Sequence, residues 1–167
     1  MHLWPEVCAA LFWFVYACFF EWAGHRYFMH ARRFPLRDAF RGHMAHHQLY
    51  RGDHRFVPEH PDHAEGITLR WYAFPLLLLG HLPIFAAFQW LTGVPTFWGA
   101  VLGCVVYFAG YEYTHYVMHV PRNRRMERWR WFRYIREHHR LHHQHMRCNY
   151  NVFVPLADAC LGTLRTQ

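Results

Sequence analysis

Between Trp71 and Tyr111 the chain runs for 41 residues without one charged side chain. As helix that length extends about 60 Å, at about 1.5 Å per residue. One bilayer crossing takes roughly 20 residues. Thr92-Gly93-Val94-Pro95 places a turn at the middle of the run. The pattern therefore predicts two spans, over 71–91 and 95–117. A soluble helix of this length would show a polar face, and none is visible here. Another apolar stretch, Val7 to Phe20, lies between Glu6 and Glu21. With Leu3, Trp4, Trp22 and Ala23 it reaches the length of one crossing, 3–23. The expected fold class is all-α: an integral-membrane helical bundle of about three transmembrane helices, in one domain over 1–167.

Charge orients this bundle. All basic charge comes from arginine, since there is no lysine, and the net charge is +7. Segments 24–70 and 120–147 carry nearly every arginine, whereas the 92–96 turn has none. The positive-inside rule then predicts the N-terminus and that turn outside, and both arginine-rich segments on the cytoplasmic face. Residues 122–136 mix arginine with Trp, Phe, Tyr and Ile, which reads as an interfacial helix. The adjacent apolar spans favour a lipid surface over nucleic acid as its partner. An aromatic content of 20% suits the same setting. The five cysteines show no zinc-ribbon or disulfide spacing. Cys8, Cys18 and Cys104 sit in apolar runs as small hydrophobes. The first apolar run lacks the basic leader of a cleavable signal peptide.

Seventeen histidines change the picture from a membrane protein to a metal protein. They concentrate in four clusters: His25 and His30; His43, His46 and His47; His115 and His119; His139, His142 and His143, preceded by His138. On a helix, positions i, i+3 and i+4 share a face, so each H-x-x-H-H box can aim three rings at one region. His25 and His30 differ by about 140° around an ideal helix and are not expected to converge without distortion. The four boxes supply ten imidazoles, more than one ion takes. Two metals with about five nitrogens each is the natural solution. A bis-histidine haem would leave most of these rings unexplained, and the H-E-x-x-H pattern of zinc proteases is absent. Isolated histidines such as His2, His60, His63 and His81 are read as ordinary surface or core residues.

The motifs EWAGHRYFMH, HMAHHQLYRGDHRFVP, GYEYTHYVMH, EHHRLHHQH and PLADACLGT together resemble the fatty acid hydroxylase/sterol desaturase superfamily, most closely the fatty acid 2-hydroxylases, from Glu21 to Thr163. The resemblance implies a cytosolic, histidine-rich helical cap holding a di-metal centre. By box-to-box match its ligands are His25, His30, His43, His46, His47, His115, His119, His139, His142 and His143. It implies two iron ions (zinc is possible in purified protein), O2 as co-substrate and hydroxylation of a membrane lipid acyl chain. Many fatty acid 2-hydroxylases carry a fused cytochrome b5 domain. None is seen here, so a separate electron donor of cytochrome b5 or ferredoxin type is expected. Two carboxylates, Glu112 and Asp158, are candidates to accept the second N–H of a ligating ring and fix its tautomer. Glu112 could equally be a helix-end charge, and Asp158 a cap. A carotenoid or sterol hydroxylase or desaturase of the same superfamily is the alternative enzyme. Carotene hydroxylases tend to place four residues inside the third box, where His115 and His119 enclose three. A histidine-rich zinc-binding membrane protein is the non-enzyme alternative.

Overall fold

The computed structural model describes residues 3–33, 36–59 and 66–167, and among them it holds helices and turns but no strand. Helix α1 spans Leu3–Gly24 and runs on into a π turn at His25–Met29. Helix α2 is Arg37–Leu49, α3 Ala73–Thr92, α4 Phe97–His119, α5 Arg130–Gln144 and α6 Leu156–Cys160. The chain divides into two compact units, Met1–Ala17 with Leu69–Gly110 and Cys18–Thr68 with Tyr111–Gln167.

The first unit holds α3 and the N-terminal parts of α1 and α4. Helix α3 ends where the turn residues predicted: Gly93 takes the left-handed conformation (φ 65) and its N–H bonds the Gln89 carbonyl. The Gln89 side chain then accepts the N–H groups of Thr96 and Phe97, at 2.9 and 3.0 Å, and so satisfies donors at the start of α4. Helices α1 and α4 approach closely. A β-carbon on Gly99 would lie 2.0 Å from the Glu6 carbonyl oxygen, and one on Gly103 would lie 2.3 Å from that of Ala10. The G-x-x-x-G spacing thus serves as a backbone contact surface. Ala9, Trp13, Phe85 and Ala100 form the core beside it, with the Trp13 and Phe85 rings edge to face at 4.6 Å.

Among the described residues two helices are long and apolar enough to cross a membrane, Leu3–Met29 and Ala73–Thr92. Only 6% of the most apolar window of α3 is buried within the protein: Leu78 and Leu82 pack on the core, while Leu76, Leu77, Leu79 and Leu91 are exposed. That separates it from a core helix, whose apolar face would be covered. Helix α4 carries Glu112, His115 and His119 in its last two turns. It does not qualify by the same measure.

The second unit packs α2, α5, α6 and the C-terminal parts of α1 and α4. Helix α5 is sharply two-faced. Phe132, Ile135, His139 and His142 are buried at helical spacing, while Arg130, Arg133 and Glu137 face out. The predicted single helix over 122–136 is therefore corrected. Asn123 adopts φ 56, and the Glu127 carboxylate accepts the backbone N–H groups of Arg122, Asn123 and Arg124. Those bonds close a loop, and α5 begins only at Arg130. Trp129, Trp131 and Tyr134 remain exposed, but Phe132 and Ile135 turn inward. The segment lays one face toward solvent or lipid and gives the other to the interior.

Candidate metal centre

All ten predicted ligands come together, in two groups of five. His25, His30, His43, His47 and His142 form one. His46, His115, His119, His139 and His143 form the other. Within each group one nitrogen per ring lies within 4.8 Å of all the others. Both H-x-x-H-H boxes are shared out. In α2, His43 and His47 stand one turn apart and enter the first group, while His46, about 100° round from its neighbour, enters the second. Helix α5 mirrors this, sending His142 to the first group and His139 and His143 to the second. The groups abut at His47 and His143, whose rings stack at 4.2 Å.

His25 and His30 converge, and they do so through a distortion of the helix, without which the spacing of five would keep them apart. The two rings stack at 5.0 Å in the same group. The cause is the π turn: the His30 N–H bonds the His25 carbonyl at 3.1 Å, an i to i+5 bond that widens the turn. In that wider turn residues five apart fall on one face.

The protonation of the rings can be read from their partners. The Nδ1–H of His142 donates to the Cys148 carbonyl at 2.6 Å, and that of His119 to the Phe56 carbonyl at 2.8 Å. His25 and His143 donate likewise to the carbonyls of Tyr150 and Tyr50. A carbonyl only accepts, so in these four rings Nδ1 carries the proton and Nε2 presents a lone pair. Those lone pairs point at other ring nitrogens. His43 Nε2 lies 2.9 Å from His25 Nε2, 3.0 Å from His30 Nε2 and 2.9 Å from His47 Nε2. A single N–H cannot serve three such contacts. In the second group His139 Nε2 faces the proton-free Nε2 of His119 at 3.3 Å and of His143 at 3.1 Å.

Lone pairs crowded together in a buried site repel unless a cation lies among them. Two nitrogens at about 2.1 Å from one ion, at right angles, are about 3.0 Å apart. The donor set therefore fits a metal ion in each group. Burial also keeps the rings neutral, the form that ligates. Desolvation lowers His30 and His46 to about 4 and His142 to about 3. His47, His139 and His143 are held well below the usual imidazole range by burial and by neighbouring imidazoles.

The carbonyl acceptors sit on two loops that the sequence did not single out. Tyr50 and Phe56 belong to the segment after α2. This segment is tied to α5 through the Gly52 carbonyl, which accepts from Arg140 and Gln144 at 2.7 Å each. Cys148 and Tyr150 belong to the segment after α5. Asp158 does not reach any of the ten rings. Its buried carboxylate takes the Nε2–H of His138 at 3.1 Å, so His138, outside the matched box, is a structural partner. Glu112 is half-buried in α4, one turn before His115. In His25, His119, His142 and His143 a backbone carbonyl fills the place foreseen for a carboxylate. His81 lies in the first unit, outside both groups, bonded to Tyr16 at 3.0 Å. His2, His60 and His63 lie outside the described residues. The five cysteines are free thiols. A cavity of about 360 Å³ between the C-terminal ends of α2 and α5 opens onto His47 and His143. Met44, Gln48, Arg51 and Met146 also line it.

Apolar helices of membrane-crossing length and buried all-imidazole groups define a histidine-rich, metal-binding membrane protein. The family follows from comparison: a model of the fatty acid hydroxylase family matches residues 10–163, so the chain belongs to that family. Its members are metal-dependent oxidoreductases of the hydroxylase/desaturase superfamily. Searches of curated proteins and of solved structures returned no match.

Proposed function

We propose that the protein is an O2-dependent di-iron hydroxylase of a membrane lipid acyl chain, of the fatty acid 2-hydroxylase kind. The observation that carries this reading is the division of ten imidazoles into two adjoining groups of five, in a chain of the fatty acid hydroxylase family. One ion would be held by His25, His30, His43, His47 and His142, the other by His46, His115, His119, His139 and His143. Iron in an imidazole-rich site with open positions supplies O2 activation, the chemistry that an unactivated C–H bond requires and no side chain offers. The chain's own contributions are ligation, orientation and dryness. Carbonyls of Tyr50, Phe56, Cys148 and Tyr150 hold four rings in one tautomer and one orientation. Burial of the rings behind Tyr50, Phe56 and Tyr150 excludes water from most of the site.

The lipid chain would enter from the bilayer, and the proposed topology has three crossings, α4 being the third. The four boxes would then lie at the cytoplasmic face, where a separate electron donor can reach them. Comparison of lipid extracts from cells with and without the protein, by mass spectrometry, tests the activity. The expected result is a gain of one oxygen on an acyl chain, placed at the second carbon by fragmentation. A gain on a carotenoid or sterol would reassign the substrate. No oxidised lipid, with zinc retained in the protein, would turn the reading to a zinc-binding membrane protein.

A further inference from the structure

His138 and Asp158 form a buried pair that none of the ten rings uses. Side-chain exposure is 1% for His138 and 0% for Asp158. Asp158 collects four donors. Oδ2 accepts from His138 Nε2 at 3.1 Å and from the Asn151 N–H at 2.7 Å. Oδ1 accepts from the Tyr150 N–H at 2.9 Å and from the Thr163 hydroxyl at 2.6 Å. The Asn151 side chain answers by accepting the Asp158 N–H at 3.1 Å. From the other side Glu21, one turn before His25, accepts the Val152 N–H at 2.6 Å and an Asn151 side-chain N–H at 3.2 Å. Asn149, in the left-handed conformation at φ 55, binds the His138 carbonyl at 3.0 Å and the Arg165 backbone N–H at 2.7 Å.

The outcome is a strap, 148–152, clamped at almost every residue. Two of its carbonyls point at ligand rings: Cys148 at His142 and Tyr150 at His25. Both rings belong to the first group. The second group draws its carbonyls from Tyr50 and Phe56, on the other loop, which does not bond Asp158.

We infer that Asp158 is a positioning residue for one metal site only, acting through the strap carbonyls on His25 and His142. The inference rests on the di-metal reading above. A ligand ring whose Nδ1–H loses its acceptor is free to rotate or change tautomer, and Nε2 no longer presents its lone pair. Loss of such an outer partner lowers metal affinity by about 10–100-fold. In Asp158→Asn one oxygen becomes an NH2 group, which faces donors where it should accept. The strap is released, while the Tyr50–Phe56 loop keeps its own ties to α5.

Elemental analysis of purified, metal-loaded protein tests this at limiting free metal. Wild type should hold two ions and Asp158→Asn one. Combined variants show which ion is lost. Asp158→Asn with His30→Ala, a first-group deletion, should still hold about one ion. With His115→Ala, a second-group deletion, it should hold about none. A general loss of packing would weaken both sites and would not distinguish the two backgrounds. Thr163→Val removes a single donor to Asp158, and should show the same pattern in milder form should Asp158→Asn not accumulate. Equal loss from both sites, or two ions retained, would overturn the inference alone. A wild-type stoichiometry below two would instead overturn the di-metal reading and this inference with it.

Discussion

At the scale of single residues, the sharing of neighbouring histidines between sites is the feature with the most direct consequence. His46 and His47 are adjacent in sequence and serve different groups. Replacing either with alanine should remove one ion each, not the same one, while the other site keeps its five rings. His46→Ala with His47→Ala should then empty both sites where each single variant holds about one ion. Both single variants should lose hydroxylation altogether, with the protein still in the membrane. His81→Ala is the counter-case. It forfeits a bond to Tyr16, a cost of about 1 kcal/mol in stability, and should keep most activity and both ions. Metal content and lipid oxidation measured on the same four preparations check all of this. Equal damage from His81→Ala would break the division between ligands and bystanders.

Among the elements, α1 and α4 owe their close approach to two glycines. A β-carbon at Gly103 would stand 2.3 Å from the Ala10 carbonyl oxygen and 3.0 Å from the Phe14 nitrogen. These atoms are backbone and cannot rotate away, so the helices must separate. Gly103→Leu should destabilise the first unit by about 1–3 kcal/mol, the usual cost of overpacking, and lower the midpoint of thermal unfolding in detergent. Gly80 offers a control: nothing lies within 4 Å of a β-carbon there, and Gly80→Ala should be neutral or slightly stabilising through helix propensity. The π turn belongs to this scale as well. It costs a regular helix its i to i+4 bonds and returns two convergent ligands from a spacing of five.

At the scale of the whole molecule, the proposed topology separates an arginine-free turn from arginine-rich loops. In a cysteine-free background, Val94→Cys should react with an impermeant thiol reagent added to intact cells. Arg125→Cys should react only after the cells are opened. The reverse pattern would place the histidine boxes outside and exclude a cytoplasmic electron donor. Both positions are exposed, so lack of reaction would report the membrane and not burial.

Much of this protein is written in the order of its residues. Apolar run lengths specify α1 and α3, because a span must bury its backbone within itself and cover its length with apolar side chains. The Gly93 turn is equally local. Eight of the ten candidate rings were legible because H-x-x-H-H and His115 with His119 repeat at helical spacing, a pattern that chance and ordinary burial do not favour; His25 and His30 joined them only through the resemblance. Three things were decided only in the folded molecule. His25 and His30 converge because a π turn forms there, and no spacing rule predicts that distortion. The tautomers are set by carbonyls of Tyr50, Phe56, Cys148 and Tyr150, and every residue has a carbonyl, so sequence cannot mark these four. Asp158 acts at one remove from the rings, through a strap whose position depends on contacts from Glu21 to Thr163. Local periodicity names the atoms that can bind a metal; which of them share a site, and what holds them there, follows from contacts between segments distant in sequence, such as His30 with His142 and His119 with Phe56.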